Sequence, residues 1–261
     1  MVRFFILTFL SLQILSGLSQ EYSLKKQDDR WAIQPDGSIE WKIDSRLPHS
    51  DHIEMSGQKV SLWMQYGVDT SGKSTFVRTL VFPTHRLLPP RTIAHMTYHI
   101  NDGDLPRFLI NDRLVKAGVY NAAVVPDQPE QVISIRHRGI MEVKSILGRQ
   151  KAISLQRSFF PSTDKPLAIE KFVFTNISNN AVKVEMEYLK RETRPALERT
   201  KEGPHHFIVS TIGHGEKMIQ PRDSVIFAIT YQATRGSGRP RPWGSGHGDV
   251  SLGRWRGPSQ N

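Results

Sequence analysis

The sequence predicts an all-β protein, a large antiparallel β-sandwich followed by a disordered C-terminal tail. Three observations carry that prediction. Short segments of strict apolar–polar alternation recur along the chain, the period of a half-buried strand. Turn chemistry separates them, at Pro35-Asp36-Gly37, Thr70-Ser71-Gly72, Asn101-Asp102-Gly103 and Ile177-Ser178-Asn179-Asn180. No stretch holds an amphipathic helix; residues 192–201 come nearest, and Pro195 interrupts them.

The elements follow in chain order. Arg3 precedes an apolar run over residues 4–15, and Gly17-Leu18-Ser19 offers a small-x-small cleavage site. Residues 1–19 therefore read as a signal peptide, with export to a periplasm or the exterior. The run is too short to cross a bilayer as a helix, so no membrane association is expected after its removal. Residues 38–43 begin the strands. Residues 59–68 follow, with Val60, Leu62, Met64, Tyr66 and Val68 on one face and Trp63 turned away. Residues 75–82 are β-branched and aromatic, and residues 92–100 alternate through Ala94, Met96, Tyr98 and Ile100. Strand-like stretches continue at residues 131–135, 140–147, 152–160 and 168–175. Residues 181–188 present Val182, Val184, Met186 and Tyr188; residues 206–212 come next. Residues 224–231 close the series with Val225, Phe227, Ile229 and Tyr231. Many short strands with one apolar face call for sheet-on-sheet packing, so residues 20–235 read as one domain.

Composition removes several functions. With no Cys in the chain, disulfides, thiol catalysis and thiolate metal sites are excluded. The formal charge of +10 divides into +1 in the signal, +3 in the tail and +6 over residues 20–235. Basic runs such as Arg136-His137-Arg138 are short, with acids between them, and form no sustained stripe for nucleic acid.

Several motifs invite chemistry. Gly67 to Ser74 satisfies G-x-x-x-x-G-K-[ST] in full. A phosphate loop needs a helix N-terminus after it, whereas residues 75–82 read as a strand closed by Pro83, so a hairpin and no nucleotide are expected. His95 and His99 have the i, i+4 spacing of helical metal ligands, but on a strand their Cα atoms stand about 13 Å apart. They are expected on a solvent face, with no metal or other cofactor. His205 and His206 would point to opposite faces of a strand, and Glu185 and Glu187 to the polar side of theirs. Among aromatics, Trp41 and Trp63 are the candidates for stacking on a sugar ring, Trp63 because it is out of phase with the apolar row.

Two stretches give the chain a resemblance. Residues 167–188 run strand, Asn176, polar turn, strand, and residues 219–231 place Pro221 before a closing strand. With Trp31, Gly37-Ser38-Ile39 and Trp41, residues 28–235 resemble the N-terminal β-supersandwich of bacterial six-hairpin, (α/α)6-barrel glycoside hydrolases. The resemblance implies a non-catalytic accessory domain of an exported carbohydrate-active enzyme, packing on a helical barrel and contacting carbohydrate. In that family the barrel carries the catalytic carboxylates, so no catalytic residue is expected in residues 28–235. Two alternatives stand beside it: a self-sufficient sandwich enzyme of epimerase or lyase type using His and carboxylates, and a structural or adhesion module. A His–Glu pair converging in a concave groove would favour the enzyme. Residues 236–261 hold seven of the 19 glycines and four Arg without Lys, a composition that cannot build a core. They read as a disordered arm or as an out-of-frame gene end standing where a linker to the barrel is expected.

Overall fold

The computed structural model describes residues 30–43, 48–69, 74–86, 95–115, 130–148, 150–194 and 205–235. The expected signal peptide and C-terminal tail lie outside the described residues. Seventeen strands occur within them. In order these are β1 (Trp31–Ile33), β2 (Ile39–Lys42), β3 (His49–Ser56), β4 (Ser61–Val68), β5 (Ser74–Arg86) and β6 (His95–His99). Next come β7 (Phe108–Ile110), β8 (Arg113–Val115), β9 (Glu130–His137), β10 (Met141–Leu147), β11 (Ile153–Pro161) and β12 (Leu167–Asn176). The last are β13 (Val182–Met186), β14 (Lys190–Thr193), β15 (His205–Ile212), β16 (Gly215–Ile219) and β17 (Ser224–Arg235). One 3-10 turn at Asp102–Asp104 occupies the predicted Asn101-Asp102-Gly103 turn.

Every pairing among the described residues is antiparallel. A nine-stranded sheet runs β1-β2-β9-β10-β11-β12-β17-β15-β14; two four-stranded sheets run β3-β4-β5-β6 and β16-β13-β7-β8. The inward row of β12 shows how they stack. Ala168, Glu170, Phe172, Phe174 and Asn176 alternate with partly exposed neighbours and are all buried. Glu170 meets Arg78 of β5, while Phe172 and Phe174 lie 4.8 and 5.2 Å from Phe108 of β7. Both small sheets therefore cover the same face of the large one. The predicted all-β sandwich is what forms.

The core is mostly alternating apolar side chains, including the Val60, Leu62, Met64, Tyr66, Val68 row. It also holds two ion pairs. Arg78 Nε and Nη2 donate to Glu170 at 2.8 and 2.7 Å, and Tyr231 Oη donates to the same carboxylate at 3.1 Å. Arg78 is 3% exposed and Glu170 1%. Burial alone would lower the Arg78 guanidinium, but Glu170, together with Tyr231 and Glu130, holds it above its ordinary value. Nearby, Arg157 Nη2 donates to Glu130 at 2.6 Å, and Ser145 Oγ donates to the same oxygen at 2.7 Å. Arg157 Cζ lies 4.7 Å from the Phe76 ring centre and Arg78 Cζ lies 5.2 Å from that of Phe159, so each cation rests on an aromatic face.

The β3–β4 corner fixes how the first small sheet sits. Gly57 N donates to Val60 O, Gln58 N donates to Thr163 O at 2.9 Å, and a Cβ on Gly57 would collide with the carbonyl of Ser162. β3 is not among the predicted strands, because only Ile53 and Met55 supply its apolar side. The short strands β1, β7, β8, β14 and β16 are likewise absent from the sequence reading; each has at most five residues, too few to display a period.

Candidate functional site

The outer face of the β3-β4-β5-β6 sheet carries the most distinctive surface. On β4, Leu62, Met64 and Tyr66 go into the core, and Trp63 and Gln65 face out. Register then selects their neighbours. Glu54 stands opposite Trp63 and His52 opposite Gln65 on one side; Thr79 and Val77 do so on the other. A groove of about 420 Å3 results, lined by Ser50, Asp51, His52, Trp63, Gln65, Val77 and Thr79. That volume is in the range of small-molecule sites.

Trp63 is 48% exposed, with the His52 ring edge-on at 5.6 Å. Thr79 Oγ1 and His99 Nδ1 lie 3.0 Å apart, and Ser56 Oγ donates to Glu54 Oε1 at 2.9 Å. Asp51 Oδ1 accepts from the His52 amide at 2.7 Å, and its Oδ2 lies 3.8 Å from His49 Nε2. The surface thus joins one open indole face to carboxylate, hydroxyl and amide groups. Such a pairing suits the C–H face and hydroxyls of a sugar ring.

The two tryptophans expected to meet glycan part company here. Trp63 faces solvent as its phase required. Trp41 is 1% exposed, 6.0 Å from Trp31 and 5.2 Å from His49, so it offers no face to a ligand. The β1–β2 hairpin brings Trp31 over it. His137 lies 5.3 Å from Trp31 and 5.9 Å from Tyr66, and neither ring nitrogen has a hydrogen-bond partner among the described residues. Burial pulls the His137 imidazole down to about 4, with Asp51 opposing, and pushes the Tyr66 hydroxyl up. A second cavity of about 510 Å3, lined in part by His49, Gly67, Asp69 and Thr75, shares Ser50 with the groove.

The remaining candidates resolve as follows. Val68 pairs with Ser74, and a strand follows the phosphate-loop motif, as the hairpin reading required; residues 70–73 lie outside the described residues. His95 and His99 lie on strand β6, as expected, and His99 is exposed. His205 and His206 do point to opposite faces, but both are buried: His205 lies 5.4 Å from His85, and His206 Nδ1 lies 2.5 Å from Glu192 Oε1. Glu187 is held by Arg107 at 2.8 and 2.6 Å, which keeps its carboxyl below the ordinary value. Sequence reasoning missed His137 and the two buried ion pairs. No helix among the described residues is long and apolar enough to cross a membrane, and no described group of three or more His, Asp or Glu side chains is placed to hold a metal ion.

The fold defines the class: an all-β protein of large antiparallel sheets. No protein-family model matches the chain, and no curated protein matches it.

Proposed function

We propose that residues 20–235 form a non-catalytic accessory domain of an exported, glycoside hydrolase-like enzyme, which packs beside a helical barrel and contacts carbohydrate. The observation that carries the proposal is Trp63, open on a strand face and set in a groove of hydrogen-bonding side chains. The one large sheet backed by two smaller ones agrees with the supersandwich resemblance. On the outer face of the large sheet, Ile212 and Ile226 are exposed, and such apolar surface suits a contact with a neighbouring domain.

Calorimetric titration of the full chain with neutral hexasaccharides (β-1,4-glucan, β-1,4-mannan, β-1,4-xylan) tests the reading. Saturable binding to at least one is expected, weakened tenfold or more by Trp63→Ala, with an unchanged melting temperature; base or sugar stacking on an aromatic platform is worth this much. Absence of binding by the wild type, or full binding by Trp63→Ala, sinks the reading. The rival enzyme calls for a His–Glu pair in a concave groove; His206 meets Glu192 Oε1 at 2.5 Å, but neither residue lines the groove or the second cavity. Cleavage of a hexasaccharide, abolished by Glu192→Gln, would establish that rival instead.

A further inference from the structure

The groove also shows what kind of glycan it takes. We propose that it selects uncharged glycan chains and rejects acidic ones, uronates above all. The inference rests on the glycan reading of Trp63 and deepens it.

Its basis is an imbalance of charge. Residues 20–235 carry a formal +6, so an acidic polysaccharide would be drawn to the protein as a whole. The groove is locally the reverse. Glu54 is the direct cross-strand partner of Trp63, whereas Asp51, paired with the buried Tyr66, belongs to the inward row at the sheet edge. Side chains so paired stand about 5 Å apart at Cβ. No Lys or Arg occupies an outward position of β3, β4 or β6, or of β5 from Ser74 to Phe82; Arg78 there points inward to Glu170. Among the described residues, Asp51 is approached by His49 and His52, at 3.8 and 3.7 Å, and Glu54 by the Ser56 hydroxyl. Neither carboxylate meets a Lys or Arg there.

A sugar ring stacked on Trp63 places its ring substituents beside the Glu54 carboxylate. A hydroxymethyl group can donate a hydrogen bond to it. A carboxylate at the same carbon has no proton to give and meets a like charge instead. One like charge about 6 Å away in a water-like medium costs about threefold in affinity.

The test uses pairs that differ at one carbon. The full chain is titrated at pH 7.5 and low salt with β-1,4-glucan hexamer and its C6-carboxylate counterpart, then with β-1,4-mannan hexamer and β-1,4-mannuronate hexamer. The neutral member should bind about threefold more tightly. The gap should close in 1 M NaCl, where charges are screened within about 3 Å. It should close also in the Glu54→Gln variant, through a gain by the uronate. Trp63→Ala should weaken both members together. Equal or tighter uronate binding by the wild type overturns the selectivity while leaving the glycan reading intact. Binding of neither member in either pair overturns the selectivity, and failure to bind the xylan hexamer as well overturns the glycan reading. A gap that persists in Glu54→Gln assigns the discrimination elsewhere and overturns this proposal.

Discussion

His137 shows how one residue can link stability to acidity. Its imidazole is 8% exposed among Trp31 and Tyr66, with no hydrogen-bond partner on either nitrogen among the described residues. The folded group titrates at about 4, below the ordinary 6.5, because burial disfavours its charged form. The unfolded chain therefore binds this proton first. Stability from this source is complete above pH 6.5 and is lost as pH falls from 6.5 towards 4. The loss should be on the order of 2–3 kcal/mol, since a tenfold change in proton affinity is worth about 1.4 kcal/mol. Urea unfolding at pH 7 and pH 4.5 should show His137→Phe losing clearly less stability over that interval than the wild type. Identical losses would show that His137 is not the group responsible. The sequence hid this residue because charged neighbours flank it. Arg136 and Arg138 turn outward to Asp36, and the same alternation sends His137 inward. Alternation likewise placed Trp63 outside. It could not show that the β1–β2 hairpin would lay Trp31 over Trp41, because that depends on a contact between separate segments.

Elements depend on backbone approach as well as on side chains. The β3–β4 corner docks on residues 162 and 163, and Gly57 permits the contact because it has no Cβ. Gly57→Ala must displace a backbone carbonyl, with no flexible side chain to yield. It should cost roughly 2–3 kcal/mol, the range for overpacking in a close-packed site. Thermal unfolding of the variant checks this; a shift in melting temperature within error would mean that the corner yields freely. The glycine gave no sign of this in the sequence, since its neighbours Gln58 and Lys59 read as an ordinary polar turn. Central strands such as β4, β12 and β17 were legible because a long buried row repeats with period two. β3 and the three-residue strands were not, since edge position and short length leave few apolar positions to form a pattern.

At the scale of the molecule, buried charge joins the sheets. Arg78 and Glu170 are 92 residues apart and meet between β5 and β12, with Tyr231 of β17 on the same carboxylate. Removing one partner leaves an uncompensated buried charge, so Arg78→Met should cost about 3–5 kcal/mol. The triple variant Arg78→Met, Glu170→Leu, Tyr231→Phe removes every charge and hydroxyl together and should recover most of that loss. Denaturant midpoints decide, and a single variant costing under about 1 kcal/mol would show that water or relaxation rescues the buried charge. Partner choice of this kind was not legible, because alternation states which side of a strand is buried and never which strand lies opposite.

The position of β17 has a bearing on assembly. It is the last described strand in chain order, yet it stands inside the large sheet, seventh of its nine strands, with β12 on one side and β15 on the other. A polypeptide delivered from its N-terminus presents β12 and β15 before the strand that unites them. Until residue 235 emerges, the inward faces of the earlier strands have an incomplete floor, and the last step is insertion between two waiting edges. Such non-local closure is slow. A precursor held open until β17 is available would suit the export proposed above.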